Sequence, residues 1–278
     1  MLRTAASRAN RAAGLLGVAR LRLPGSLTAM DEGTLRVRLW DGFGRLQLLL
    51  GGHAGMGRTL ERDGLVASIV PSAAGSPTLN AAVALEPDEA ARHVDELEEL
   101  YTRAAVRRWG IWIDGHATGA AQRLARRGMV MTTASPGMGA AIDELPCDGA
   151  ATAPTDLATV GRVNDLAYGN YDARLERTLS PLPNGVLKAY RADLADGSPA
   201  AVALALHHER DAGISFVATV PKARRQGLAT NVMQQALKDA RDNGCTTTTL
   251  QATDVGEHLY AALGYRRLTV MQLWERRP

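Results

Sequence analysis

One α/β unit occurs twice in this chain, at an interval of 136 residues, and that repetition limits the fold more than any other feature of the 278 residues. With Gly128 of Leu124-Ala125-Arg126-Arg127-Gly128-Met129 set against Gly264 of Tyr260-Ala261-Ala262-Leu263-Gly264-Tyr265, the rest follows without a gap. The apolar run 65–70 falls on 201–206, and 80–83 falls on 216–219. A helical pattern with Leu97, Leu100, Tyr101 and Ala104 inward falls on one with Met233, Ala236, Leu237 and Ala240 inward, and 111–114 falls on 247–250. Identities are few, so the match is one of pattern and element order. A single register held over about 65 residues is better explained by duplication than by chance alternation of helices and strands. The expected organisation is a first unit near residues 30–147 and a second at 148–278.

The second unit carries a turn that its counterpart lacks. Residues 214–218 read as a strand, and Val232, Met233, Ala236, Leu237 and Ala240 recur at helical spacing until Asn243-Gly244 stops them. Between strand and helix lies Thr219-Val220-Pro221-Lys222-Ala223-Arg224-Arg225-Gln226-Gly227-Leu228-Ala229-Thr230. A turn that opens a helix presents several partnerless N–H groups and about half a positive charge, which suits a phosphate or pyrophosphate. Small residues at Gly227 and Ala229 let the backbone approach a ligand closely. Neither a Gly-Lys-Ser/Thr loop nor a Gly-x-Gly-x-x-Gly fingerprint is present here. A capped surface helix is the bland reading of the hexapeptide alone.

Arg224-x-x-Gly227-x-Ala229 resembles the pyrophosphate signature of the Gcn5-related N-acetyltransferases (GNAT), and Leu259-Tyr260-Ala261-Ala262-Leu263-Gly264-Tyr265 resembles that family's next motif. A β-rich strand from Thr246 to Leu250 and a helix from about Asp254 to Leu263 join the two in the family's order, and a last strand runs from Arg266 to Trp274. The resemblance implies two acyl-CoA N-acyltransferase folds in tandem, each a mixed, mostly antiparallel sheet flanked by helices. It implies acetyl-CoA as cosubstrate, no metal, and transfer of acetyl to a primary amine of a small molecule or a peptide N-terminus. By the same resemblance Val217, Ala218 and Thr219 would line the pantetheine arm, while Arg224, Arg225, Gln226, Gly227, Leu228, Ala229 and Thr230 would surround the pyrophosphate. Tyr260 would donate a proton to the departing thiolate, as a phenol with an ordinary pKa near 10 can; core packing is the competing reading of a lone helix tyrosine.

The first unit looks inert by comparison. In the gapless alignment the turn lies opposite Asp88-Glu89-Ala90-Ala91-Arg92-His93, whose carboxylates suit a helix start but repel pyrophosphate, and Tyr260 lies opposite Leu124. That half is expected to bind no coenzyme and to pack against the second. In the second half, however, no Asp or Glu lies between Gly213 and Val220, where many relatives carry a carboxylate base, and Thr253 stands where many have Asn. A non-catalytic, acyl-CoA-responsive module is therefore the alternative function, and transfer of longer acyl groups a third. His207, His208, Asp254 and His258 are ambiguous relays. Tyr168 and Tyr171, on an expected extended loop from Gly169 to Gly185, could cover an aromatic or aliphatic amine or close a core. Asp165, Asp172 and Glu176 would suit a cationic acceptor or be a solvated face.

Composition restricts the partners. A net charge of +3 with no basic stripe interleaved with aromatics gives no expectation of nucleic-acid binding, and no apolar run approaches a membrane span. Cys147 and Cys245 have no metal or CxxC spacing and read as reduced thiols of a cytoplasmic protein. Exposed edge strands in such sheets make a homodimer possible. Residues 1–29 hold Arg3, Arg8, Arg11, Arg20 and Arg22 without an acidic residue, the composition of a transit peptide; a start at Met30 or a basic surface helix are the plainer readings.

Overall fold

The computed structural model describes residues 31–149 and 152–276, so the basic extension at 1–29 lies outside the described residues. The first half runs α1 (Glu32–His53), β1 (Arg58–Arg62), β2 (Leu65–Ile69), β3 (Ala81–Ala84), α2 (Val94–Arg103), β4 (Gly110–Asp114), α3 (Thr118–Arg126) and β5 (Met129–Ala141). The second runs α4 (Leu157–Tyr168), α5 (Arg174–Leu179), β6 (Lys188–Asp193), β7 (Pro199–His208), β8 (Asp211–Thr219), α6 (Leu228–Asp242), β9 (Thr247–Gln251), α7 (Asp254–Leu263) and β10 (Arg266–Arg276). Five strands in each half follow one another with the same helices between them, as duplication requires.

All ten strands join in a single sheet of order β1-β2-β3-β4-β10-β5-β9-β8-β7-β6. Exchanging each strand with its counterpart in the other half returns the same order, so the sheet has a pseudo-two-fold axis between β5 and β10. Each half is antiparallel except for one parallel pair, β3 with β4 and β8 with β9. The final strands are exchanged: β5, which ends the first half, pairs with β9, and β10, which ends the second, pairs with β4. At the axis β5 and β10 pair along ten positions, from Arg266 opposite Gly139 to Arg276 opposite Met129. Neither half's sheet is complete without a strand from the other.

Helices cover both faces. On one, α6 buries Val232, Met233, Ala236, Leu237 and Ala240 against the alternating Ala201, Ala203 and Ala205 of β7, whose small side chains let the helix approach closely. On the other, α4 and the C-terminal part of α1 cover Val202, Leu204 and Leu206. The N-terminal part of α1 crosses the centre of the sheet. Its Arg36 donates to Asp114 at 2.8 Å and its Arg38 to the Thr247 hydroxyl at 2.6 Å, so one helix is tied to both halves.

The 136-residue register holds for α3 against α7 but not throughout. The 3₁₀ turns at Pro87–Glu89 and Pro221–Ala223, and the helices that follow them at Val94 and Leu228, are 134 apart. A shorter α2, of 10 residues against 15, compensates with a longer exit loop. Asp88 and Glu89 therefore lie opposite Lys222 and Ala223, and Arg224–Ala229 lie opposite Ala90–Asp95. Acidic character at the helix start survives this correction, since Asp95 and Glu96 occupy the first turn of α2.

Two expectations follow. Residues 31–147 and 148–276 expressed separately should each fail to give a folded species by amide-resonance dispersion, and should fold when co-expressed; an independently folded fragment would contradict the exchange. Asp114 generates the second. Burial opposes its ionisation, but the Thr269 hydroxyl, the His116 N–H and the Arg36 guanidinium outweigh that and hold the carboxyl at about 2. Because this value lies below 3.8, the ionised group stabilises the fold above about pH 4, and that contribution is lost as pH falls toward 2. Denaturant titration of Asp114→Asn should show less pH dependence in that window and a loss of about 2 kcal/mol at pH 7.

Candidate functional site

Strand β8 changes its company halfway along. From Asp211 to Ile214 it pairs with β7 on one side and β9 on the other; beyond Ile214 the pairing with β9 stops. Residues 215–219 keep only β7, and that ladder is itself interrupted: Leu204 faces Ser215, Val202 faces Ala218, and Phe216 and Val217 have no partner. Phe216 sits at φ +52°, an αL bulge without the glycine that such a position favours. Its carbonyl is held by Asn164 of α4, whose Nδ2 donates to it at 3.3 Å. A buried amide thus holds the displaced backbone in place.

The first half has no comparable opening, since β3 has no positive-φ bulge and is released from β4 at one residue only. Ala82 and Val83 of β3 pair with β2 and β4 simultaneously, and Ala84 alone, the last residue of the strand, keeps β2 without β4.

After β8 the chain turns through Pro221–Ala223 and enters the segment singled out in sequence. Arg225 at φ +65° and Gly227 at φ +78° alternate with other conformations, the αL alternation that gathers successive N–H groups into a concavity. None of the six backbone N–H groups from Arg225 to Thr230 donates to a backbone acceptor, and α6 has no side-chain cap at its start. The neighbouring helices differ. Asp156 caps α4 by accepting from the Thr159 N–H at 2.6 Å, Thr253 caps α7 by accepting from the Gly256 N–H at 3.1 Å, and the Asp165 carboxylate accepts from the Leu175 and Glu176 N–H groups at the start of α5. The longest helix of this half is thus left uncapped where an anion would be bound. In the first half the corresponding run is broken, because the Arg92 N–H donates to the Glu89 carbonyl and no residue from 87 to 96 has positive φ.

The side chains of the segment divide by role. Arg225, Gln226 and Gly227 are exposed, Leu228, Ala229 and Thr230 partly so. Arg224 turns back on the fold: its guanidinium donates to the Thr219 carbonyl at 3.3 Å and to the Ala167 carbonyl at 3.1 Å. Val217 packs toward the α6 face and Ala218 toward the α4 face, so what this strand offers to the opening is main chain.

Tyr260 is 6 % exposed, its ring edge-on to Tyr265 and close over Gly256. Buried tyrosine hydroxyls normally find a partner. Tyr101 donates to the Ser68 carbonyl, Tyr190 to Asp239, and Tyr265 bonds Thr248. Among the described residues the Tyr260 hydroxyl alone of these four has none. Burial, and then the neighbouring Tyr168, push its pKa above the usual tyrosine value, so the proton is kept at neutral pH. Tyr168, the last residue of α4, is exposed and within electrostatic range of both Tyr260 and Arg224.

Other sequence candidates are placed elsewhere. His207 and His208 stand at the closed end of the β7–β8 hairpin, opposite Ala212 and Asp211, on opposite faces of the sheet. His208 pairs with Asp41 of α1 at 2.8 Å, and burial with the nearby Lys188 lowers the His207 pKa. Asp211 is buried and accepts hydrogen bonds from Thr247 and Thr249; burial raises its pKa. Asp254 and His258 are exposed on the first turns of α7. Burial raises both Cys147 and Cys245 thiols, which are free and inside the core. The expected loop from Gly169 to Gly185 contains α5, started by Asp165, while Asp172 pairs with Arg174 at 2.9 Å and Glu176 with Arg162 at 3.2 Å. Sequence reasoning missed Asn164 and the Phe216 bulge. Asn164 could have been flagged, being a polar residue within the inward stripe of Val160, Val163 and Ala167.

The whole architecture has relatives among solved structures. A GCN5-related N-acetyltransferase from Kribbella flavida superposes with a TM-score of 0.63 at 20% identity, over 86% of this chain and 94% of that one. One from Sphaerobacter thermophilus gives 0.56 at 14%, over 90% and 95%. A tandem GNAT protein from the clavulanic acid biosynthesis pathway gives 0.55 at 15%, over 91% and 98%. At these identities the likeness is one of fold. No curated protein sequence matches the chain. No helix of the described residues is long and apolar enough to cross a membrane. Residues 169–265, which span the diverging strand, the uncapped turn and Tyr260, match the family model described as Acetyltransferase (GNAT) family.

Proposed function

We propose that the second half transfers an acetyl group from acetyl-CoA to a primary amine, either a small molecule or a peptide N-terminus, by direct attack while both substrates are bound. The observation that carries this reading is the edge of β8 released by β9 at 215–219, followed one short turn later by the uncapped N–H row of Arg225–Thr230. An extended pantetheine arm fits the first part as an added strand, and a pyrophosphate fits the second. Val217, Ala218 and Thr219 would meet the arm; Arg225 to Thr230 would meet the phosphates. An N–H of the bulge at Phe216 is suited to the charge that grows on the acetyl oxygen, and the partnerless Tyr260 hydroxyl to protonating the departing sulfur. The first half, without the bulge of β8 and without a nest, would hold no coenzyme. A soluble, cytoplasmic setting belongs to the same proposal.

The acceptor end also gives a preference. Asp165, Asp172 and Glu176 are all spent on internal partners, while Leu166, Tyr168 and Tyr171 stand exposed on the end of α4 and the loop after it. These features support an amine with an apolar or aromatic body over a polycation. One observation favours the second reading, a non-catalytic acyl-CoA-responsive module: the only carboxylate of β8, Asp211, is buried and bonded to two threonines.

Calorimetry with acetyl-CoA should give one site per chain, and Arg225→Glu combined with Gly227→Asp should weaken it at least a hundredfold. Two sites per chain would contradict the inert first half, and undetectable binding by the wild type would overturn the proposal. Thiol release across a panel of arylalkyl and alkyl amines separates the two functions. Tyr260→Phe should lower turnover tenfold or more while leaving Tm within about 2 °C, because the hydroxyl bonds nothing in the fold. Binding without turnover on any amine would favour the module.

A further inference from the structure

The signature that this turn resembles begins with an arginine or a glutamine, and here the Arg224 guanidinium is taken up by main-chain carbonyls. It donates in two directions, to the carbonyl of Thr219 at the end of β8 and to the carbonyl of Ala167 in the last turn of α4. The second contact sits where a helix needs it, since the final carbonyls of α4 lack helical partners and carry its negative end. Gly169, in the αL conformation, closes that helix through its own N–H, so the Ala167 oxygen is free for Arg224. The residue that follows Ala167, Tyr168, is within electrostatic range of both Arg224 and Tyr260. Three pieces meet on one side chain: the strand that would hold the arm, the turn that would hold the phosphates, and the helix end that carries the acceptor loop.

We propose that Arg224 is a positioning residue, which staples the C-terminal turn of α4 to β8 and so fixes Tyr168 and the loop at 169–173 against the coenzyme turn, without itself binding phosphate. This rests on the reading of that turn as a coenzyme A site. Arg225, whose αL backbone places it in the nest and whose side chain has no partner among the described residues, is a cation available to the phosphates. Lysine cannot replace Arg224 fully, because one ammonium lacks the planar fork that reaches two carbonyls in different directions.

Hydrogen exchange and calorimetry with coenzyme A distinguish the roles. In ligand-free Arg224→Gln, amides of residues 165–173 should exchange at least tenfold faster than in wild type, with those of α6 unchanged. The affinity for coenzyme A should stay within threefold. Arg224→Lys should give intermediate exchange, and Arg225→Gln the opposite pattern: wild-type exchange at 165–173 with affinity reduced tenfold or more. Unchanged exchange in Arg224→Gln overturns the proposal, and so does a tenfold loss of coenzyme affinity in that variant. If the wild type binds no coenzyme A, the acetyltransferase reading fails by itself, while the ligand-free exchange still decides whether the staple exists.

Discussion

The chemistry available to this chain depends on one strand losing a neighbour. As long as β8 is paired on both sides its backbone is spent; after Ile214 the β9 side is released, and main-chain donors and acceptors become available without disrupting the sheet. Such a release costs hydrogen bonds, and the structure limits the loss by keeping β7 in register at Ser215, Ala218 and Thr219 and by holding the Phe216 carbonyl with Asn164. The opened edge leads directly into a helix start whose N–H groups are also unused. Neither feature alone would specify a ligand; joined end to end they match an extended arm with an anionic terminus.

The exchanged strands explain why both halves persist although only one is open. Because β5 completes the second half and β10 the first, loss of the first half would remove the strand that β9 pairs with. Arg38, reaching from α1 to Thr247, adds a contact of the same kind. Keeping the second half's sheet intact therefore requires the first half's framework, whatever the first half's own turn does.

Much of the second half was legible in the residues. The inward stripe Val232, Met233, Ala236, Leu237 and Ala240 is wholly buried, the stop at Asn243-Gly244 ends α6, and Asp254 to Gly264 is α7 with its αL cap, since these signals are local and strong. What escaped depends on distance. Helix α5 lies within an expected loop because the group that starts it, Asp165, is ten residues away. The bulge at Phe216 carries no glycine to announce it. The exchange of β5 and β10 is invisible to any pattern, because two copies of one unit bear the same pattern whichever copy they pair with. The two-residue slip between the turns was hidden by a short helix and a long loop that compensate.

A structure of the wild-type protein with acetyl-CoA bound is the most direct measurement. The account predicts a single coenzyme per chain, its arm along 215–219, its pyrophosphate on the N–H groups of Arg225–Thr230, and its sulfur within hydrogen-bond reach of the Tyr260 hydroxyl. A coenzyme seated on the turn at 90–95, or lying away from β8, would contradict it.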